Sequence, residues 1–258
     1  MIISKRYSVV HRTIDSNTKI FLFMRLADSK LLQLKFNPGK YMSRSKDWLF
    51  LIESRSLLVA LHLPTYLHKL FATGVTDSDH VEVDSHISDF CIDRLTGHLV
   101  NIKPSGQVSL RRLRAGKLDQ KSASIAKLDY DEDTYYHCLA SYDQTTVVGC
   151  MKGASSLALV SRRGKVLDMA DGFSKGVIKY VELVAYDRSL LAVSFMAFDY
   201  YSLHGIAGDK LLPIPLEVKV FDGENESVYS YQVMQSKSHV DFIVSGYPYY
   251  IKTIRISK

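Results

Sequence analysis

The feature of this sequence that most constrains its fold is a repeated unit, in which a β-type run closes on an acidic or polar turn and a more apolar run follows. The stretch Ile87–Leu113 shows it clearly, with three short β-type runs separated by turns at Asp93–Gly97 and Pro104–Gly106. Apolar and β-branched runs bounded by Gly, Pro, Asp and Ser are typical of antiparallel strands joined by tight turns. The stretch therefore predicts a meander of strands.

The same unit recurs along the chain at a regular spacing. The turns that close its first runs begin at Asp15, Glu53, Asp93, Asp143, Asp187 and Gln235. Their separations are 38, 40, 50, 44 and 48 residues, and a four-stranded propeller blade takes roughly 40 to 50 residues. The runs after the turns are the most apolar in the chain, as expected for strands that are covered on both faces. Long helical periodicity is missing from the sequence, so the pattern predicts an all-β fold.

The spacing predicts a single β-propeller over residues 1–258, with about six four-stranded blades. The predicted units cover approximately residues 1–44, 45–85, 86–133, 134–176, 177–226 and 227–258. The last unit stops after its third run, Tyr249–Ile256, whereas Met1–Lys5 precedes the first run of the first unit. We expect this N-terminal strand to close the last blade, because closure hides open strand edges. A two-sheet sandwich or a single large barrel is the alternative.

The layout resembles β-propellers of the WD40 or NHL type. The turn-anchoring acids carry the resemblance, together with Asp93-x-x-x-Gly97-x-Leu99-Val100, which is similar to the first hairpin of an NHL unit. The resemblance covers nearly the whole chain, but its motifs are degenerate. The Gly-His and Trp-Asp pairs of WD40 repeats are missing from the sequence, and its one tryptophan, Trp48, follows an Asp instead of preceding one. The resemblance implies a propeller and assigns no subfamily.

Composition favours a folded protein inside the cell. The chain has 258 residues, of which 47% are hydrophobic, and this is enough for a substantial core. Three widely spaced cysteines predict buried thiols in a reducing compartment, and the sequence shows neither a secretory leader nor a membrane-length apolar run. We therefore expect a cytoplasmic or nuclear location. The net charge of +6 weakly favours acidic partners.

Catalytic and metal motifs are weak in this sequence. The GxSxG elbow, the P-loop and GxGxxG do not occur, so we expect neither catalysis nor a cofactor. The best metal candidates would share one face of a strand: His80, Glu82, Asp84 and His86. Such residues can bind a divalent ion, although an exposed polar strand face explains them as well. A metal-dependent, lactonase-like propeller hydrolase remains an alternative, with Asp89 or Glu182 near the axis.

Basic residues cluster at two comparable turns. These residues are Arg111, Arg112, Arg114 and Lys117 at one turn, and Arg162, Arg163 and Lys165 at the next. If the two units are neighbours, the turns share a rim and form one positive patch for phosphate, RNA or an acidic protein. The alternative is that they are solvated turn residues.

Tyrosines near strand ends are candidate anchors for a protein partner. The predicted partner-binding residues are Tyr200, Tyr201, His204, Tyr247, Tyr249 and Tyr250. The segment Asp199–Gly208 is the best candidate for a binding loop, since long loops on rigid scaffolds often carry function. Tyrosine is also a common strand residue, which is the competing explanation. The sequence thus favours a non-catalytic interaction scaffold within a protein complex, with an RNA- or phosphate-binding module as a further alternative.

Overall fold

The chain is all-β and builds antiparallel sheets from consecutive strands. The computed structural model describes residues 7–13, 19–25, 30–36, 42–45, 48–53, 57–62, 65, 72, 81–114, 117–128, 134–152, 154–161, 163, 165–170, 177–186, 189–196, 200–220, 227–247 and 250–257. The chain divides into two compact units, residues 1–87 with 113–120 and residues 88–112 with 121–258. The predicted blade boundaries stay a prediction.

Unit one contains two sheets and a short ribbon. Sheet I consists of β1 (Tyr7–Thr13), β2 (Lys19–Arg25) and β3 (Lys30–Phe36). Sheet II consists of β4 (Met42–Ser45), β5 (Trp48–Glu53), β6 (Leu57–His62) and β7 (Val81–Asp84). The ribbon pairs β11 (Leu113–Arg114) with β12 (Lys117–Leu118). The side chains of Phe50, Leu58 and Ala60 are fully buried, which places apolar packing at the centre of sheet II.

The apolar run between β6 and β7 adds no strand to sheet II at the residues that are described. The run Leu67–Ala72 favours a strand by composition, but Ala72 is helical, as is Thr65 ahead of it. The rest of the run lies outside the described residues. The strand that follows β6 in sheet II is instead β7, which pairs with it between Leu58 and Asp84.

Unit two contains four sheets. Sheet III consists of β8 (Asp89–Ile92), β9 (Leu99–Ile102), β10 (Gln107–Arg111) and β13 (Ala123–Lys127). Sheet IV consists of β14 (Tyr135–Tyr142), β15 (Thr145–Lys152), β16 (Ala154–Val160) and β17 (Val166–Ala170). Sheet V consists of β18 (Ile178–Tyr186), β19 (Ser189–Met196), β20 (Tyr200–Ala207) and β21 (Lys210–Lys219). Sheet VI consists of β22 (Ser227–Gln235), β23 (His239–Tyr247) and β24 (Tyr250–Ser257).

Apolar side chains fill the space between successive sheets of unit two. Val100 and Val108 of sheet III pack with Val148 of sheet IV in one cluster. A second cluster joins sheets IV and V, and a third joins sheets V and VI, where Phe195 and Phe242 are fully buried. Each such side chain contributes roughly 1.5–3 kcal/mol when it is fully buried. The core therefore lies between the sheets, not inside any one of them.

The second strands of sheets IV and V are covered on both faces, as the sequence predicts. Side chains alternate along a strand, so in β15 Val147 packs in the cluster with sheet V while Val148 packs in the cluster with sheet III. In β19, Ala192 packs in the cluster shared with sheet IV, and Val193 packs in the cluster shared with sheet VI. A near-continuous apolar run is therefore required at both strands.

Gly149 marks the tightest approach inside sheet IV. It pairs with Cys138 across β14 and β15, and a Cβ added at Gly149 would overlap the Cys138 sulfur. A glycine inside a strand commonly marks such a close approach.

The cysteines Cys91, Cys138 and Cys150 are free thiols.

The outer strand of sheet V carries two prolines, Pro213 and Pro215. Proline lacks the N–H that a central strand would need, so it is tolerated at a sheet edge.

The predicted N-terminal closing strand, Met1–Lys5, lies outside the described residues. Within the described ranges, no helix is long and apolar enough to span a membrane.

Candidate functional site

The first turn of sheet III is fixed to the first turn of sheet IV by one buried carboxylate, Asp93. Its side chain is fully buried. Within its own turn, Asp93 accepts hydrogen bonds from the Leu95 N–H (3.1 Å), the Thr96 N–H (2.8 Å) and the Thr96 hydroxyl (2.8 Å). It also accepts hydrogen bonds from three donors of sheet IV: the Ser141 hydroxyl (2.7 Å), the Asp143 N–H (3.1 Å) and the Gln144 N–H (2.7 Å). The sequence feature that identifies the repeat thus holds two sheets together.

These donors also decide the charge of Asp93. Burial alone would raise its pKa, but the hydrogen bonds from Thr96, Gln144 and Ser141 favour the carboxylate and lower the pKa below its ordinary value. The turn between β14 and β15 is shaped for this contact. Asp143 and Gln144 both have positive φ angles, 50° and 65°, as in the two-residue turns that match strand twist in hairpins.

A second acid, the half-buried Glu182 of β18, has a different environment. Its Oε1 atom lies 2.9 Å from Nε of Arg94, and its Oε2 atom accepts a hydrogen bond from the Tyr231 hydroxyl at 3.1 Å. Burial raises the pKa of Glu182, and the Arg94 guanidinium opposes that shift. Burial likewise raises the pKa of Tyr231, and the neighbouring Glu182 charge adds to it. Sheets III, V and VI meet through these three side chains.

The hydrolase alternative depends on Asp89 and Glu182, and the structure shows what these two acids contact. Both Glu182 oxygens are engaged by protein groups, and Oδ2 of Asp89 accepts the Leu139 N–H at 3.1 Å. Among the described residues, no group of three or more His, Cys, Asp or Glu side chains could hold a metal ion. The two acids therefore act as cross-links between sheets in this structure.

The metal candidates near β7 do not share one strand face. The strand ends at Asp84, and His86 has a positive φ of 53°, so the alternation assumed from the sequence stops before it. Glu82 is exposed, whereas Asp84 accepts the N–H of Ser85. His80 lies outside the described residues.

An open cleft lies between sheets IV and V, where their hairpin turns gather. Its volume is about 800 Å³. The residues that line it are Tyr142, Asp143, Thr145, Leu159, Ser161, Arg163, Lys165, Leu167, Ala185, Ser189, Leu190, Ile206, Gly208 and Asp209. The turns after β14, β16, β18 and β20 all lie at the same end of these two sheets, because consecutive antiparallel strands return to it. The cleft is therefore built from four turns of adjoining sheets.

The floor of the cleft is apolar and its rim is charged. Leu159 and Ile206 are buried and belong to the cluster between the two sheets, and Leu167 and Leu190 pack against them. Arg163 and Lys165 are exposed on the sheet IV side, and Asp209 is exposed on the sheet V side. A concave apolar surface with a few charged groups is the usual form of a binding site.

The structure places the residues of the predicted basic patch in different surroundings. Arg163 and Lys165 lie together at the cleft, and Arg112 and Lys117 are exposed at the ends of strands. Arg111 is buried, because β10 continues through it and pairs it with Leu99. Arg111 is therefore not a surface residue of the patch. The side chain of Arg114 and all of Arg162 lie outside the described residues.

The predicted binding loop is a strand. Residues Tyr200–Ala207 form β20, and both Tyr201 and His204 are buried, because the segment continues the meander of sheet V. Burial lowers the pKa of His204 and raises that of Tyr201. The argument from an exposed loop was therefore wrong, and partner binding by Tyr200, Tyr201, His204, Tyr247 and Tyr250 stays a prediction. Tyr249 lies outside the described residues.

Sequence reasoning missed the cleft itself. Its floor residues, such as Leu159 and Leu190, look like ordinary core positions next to turns, and Asp209 looks like an ordinary turn residue. The available signal was topological: the second turn of sheet IV and the turns of sheet V must lie at one end if the strands form meanders. Of the residues that line the cleft, Arg163 and Lys165 were singled out as part of the basic patch, and Asp143 was singled out as a turn acid.

Comparison with solved structures finds propeller folds among the chains that this chain resembles. A chain of the S. cerevisiae complex of Dbp5 bound to Nup159, Gle1, IP6 and ADP matches at a TM-score of 0.61 and 9% identity, over 97% of this chain and 76% of the other. A chain of the mitotic checkpoint complex matches at a TM-score of 0.59 and 8% identity, over 99% and 76%. These matches support an all-β, propeller-like chain.

A third match shows that the fold alone does not define the activity. Dihydro-heme d1 dehydrogenase NirN matches at a TM-score of 0.54 and 13% identity, over 94% of this chain and 49% of the other. No protein-family model and no curated protein matches the chain. Because a fold can host unrelated functions, function must be argued from the cleft.

Proposed function

We propose that this chain is a non-catalytic protein–protein interaction module, one subunit of a multiprotein complex, and that a partner docks in the cleft between sheets IV and V. The observation that carries the proposal is the open, apolar-floored cleft of about 800 Å³ between charged turns. Apolar surface at the floor supplies affinity when a partner covers it, and rim charges supply specificity. The supporting comparisons are with chains from protein complexes.

The rigid setting of the cleft supports docking. Its walls continue into the buried cluster between the sheets, so the surface exists before a partner arrives. A preformed surface loses less conformational entropy on binding than a loop that must order. The free thiols of Cys91, Cys138 and Cys150 support a location inside the cell, in the cytoplasm or nucleus.

The test is quantitative affinity purification of the tagged protein from its own cells, comparing the wild type with Ser189→Arg. Ser189 is exposed and lines the cleft, so a long charged side chain there obstructs the cleft without opening the core. Ser238→Arg is the matched control, since Ser238 is an exposed residue in the corresponding first turn of sheet VI. We expect a stoichiometric partner to be lost from Ser189→Arg and kept by Ser238→Arg. Equal recovery with both variants contradicts docking in the cleft.

A further inference from the structure

Among the described residues that line the cleft, the two walls carry net charges of opposite sign. Arg163 and Lys165 project from the sheet IV side, and Asp209 projects from the turn between β20 and β21 on the sheet V side. Within the described part of the chain, none of these three side chains has an ion-pair partner. Asp143 also lines the cleft from sheet IV, so this wall combines two cations with one carboxylate, whose N–H donates to Asp93. The cleft therefore offers charged groups that the fold itself does not neutralise.

The basic wall is held by its own hydrogen bonds. The hydroxyl of Ser161 accepts the N–H groups of Arg163 (3.3 Å) and Lys165 (3.2 Å). The Ser161 N–H donates to the carbonyl of Lys165 at 2.9 Å. The two side chains thus extend from a fixed turn, so less backbone ordering is needed when an acidic group binds between them.

The apolar floor lies between the charged walls. Leu159 and Leu167 come from sheet IV, and Leu190 and Ile206 come from sheet V. A volume of about 800 Å³ has room for several side chains of a peptide. An occupant that satisfies the whole cleft needs an apolar side chain at its centre and charges on both sides.

We propose that the occupant is an extended segment of a partner protein in which an apolar anchor, such as Leu, Ile, Phe or Met, lies between an acidic and a basic residue. The acidic residue faces Arg163 and Lys165, and the basic residue faces Asp209. The order of the charges fixes the direction in which the segment crosses the cleft, because the reversed order places like charges together. This inference rests on the proposed docking function and adds the chemistry of the partner.

The experiment is selection of a random peptide library displayed on phage against the purified full-length chain, at low salt. Parallel selections use the double variant Arg163→Glu with Lys165→Glu, the variant Asp209→Lys and the blocked variant Ser189→Arg. Arg112→Glu is the matched control for charge reversal, because Arg112 is an exposed arginine that does not line the cleft. Circular dichroism and thermal unfolding verify that each variant is folded.

The expected result is enrichment of peptides with an apolar residue between an acid and a base, absent from the selection on Ser189→Arg. The double variant should bind these peptides at least ~10-fold more weakly, because attraction at short range becomes repulsion. Arg112→Glu should change their affinity by less than about twofold, because a distant exposed charge is screened. In a triple variant that combines the double variant with Asp209→Lys, the preferred order of the acidic and the basic residue in the peptide should reverse.

Four outcomes would overturn the inference, and they separate it from the proposed function. Peptides that are lost on Ser189→Arg but show no charge preference leave docking intact and refute the charge pattern. The absence of any peptide that depends on the cleft refutes both. Binding of a labelled oligouridine that requires Arg163 and Lys165, without peptide enrichment, or self-association that is lost on Ser189→Arg, assigns the cleft to nucleic acid or to a second copy of the chain.

Discussion

The turn at Asp93 and the turn at Arg163 belong to neighbouring sheets, but they use charge in opposite ways. The Asp93 carboxylate is fully buried and accepts six hydrogen bonds from two sheets. Arg163 and Lys165 are exposed beside an apolar cleft. The comparison teaches that a charged turn residue either stabilises the fold from a buried position or stays exposed at the surface. Its surroundings decide which, since the residue type and the turn position are similar.

The largest expected effect comes from removing the buried carboxylate. Asp93→Ala should lower the free energy of unfolding by about 3–5 kcal/mol, because it leaves buried N–H and hydroxyl donors without an acceptor. Asp209→Ala is the matched control, and as an exposed turn residue it should change stability by less than about 0.5 kcal/mol. Urea unfolding followed by circular dichroism measures both. A small loss for Asp93→Ala would mean that the donors find water or other acceptors, and the contrast between the two turns would disappear.

As the pH falls, the contributions of Asp93 and Glu182 to stability should change in opposite directions. The pKa of Asp93 is lowered by folding, so its stabilisation is present above the ordinary Asp pKa of about 3.9 and is lost as the pH falls through the lower folded value. The pKa of Glu182 is raised by folding, so its ionised form costs stability above the folded pKa. That cost is relieved as the pH falls toward about 4.3.

Urea unfolding of the wild type, Asp93→Asn and Glu182→Gln between pH 7 and 3 measures both effects. The stability advantage of the wild type over Asp93→Asn should shrink at the lowest pH values. Its stability relative to Glu182→Gln should rise as the pH falls toward the ordinary Glu value. Parallel curves for all three proteins would contradict the assigned shifts.

A smaller effect on the free energy of unfolding is expected for a substitution at Tyr231. Its hydroxyl lies within donating distance of Oε2 of Glu182 (3.1 Å) and of the carbonyl of Val181 (3.2 Å) and has one proton to share between them. Tyr231→Phe should therefore lower the free energy of unfolding by about 1 kcal/mol. Tyr186→Phe is the control, since the hydrogen bond of Tyr186 to the carbonyl of Ser257 is exposed and water can replace it. Equal losses for the two variants would show that burial of the hydroxyl does not matter here.

The smallest expected effect on stability is at the cleft. Arg163→Glu with Lys165→Glu should change the free energy of unfolding by less than about 0.5 kcal/mol, because both side chains are exposed. The same variant carries the largest expected effect on binding, which sharpens the contrast with Asp93. A loss of stability above 1.5 kcal/mol, roughly three times that bound, would mean that these charges also support the fold.

The fold was largely predictable from the sequence because hairpins leave local signals. The turns predicted to begin at Asp93 and Asp143 directly follow β8 and β14 in the structure. Asp93 itself was identified, but its role in joining two sheets was not, since that depends on the turn of a different unit. The strand β20 was misread because Tyr, Ser, His and Gly occur in loops as often as in strands. The cleft was missed because it depends on which turns meet, and a single strand carries no signal for that.

The division of each core between two sheets has a consequence during synthesis. Sheet IV is complete once Ala170 has been made, yet its residues Val147, Leu157 and Leu159 belong to a cluster that needs sheet V, which ends at Lys219. At 5–20 residues per second, the ribosome takes roughly 2–10 seconds to supply the missing strands. For that time the nascent chain displays half of a hydrophobic core, so the speed of translation and access to chaperones set how much of the protein reaches its folded state.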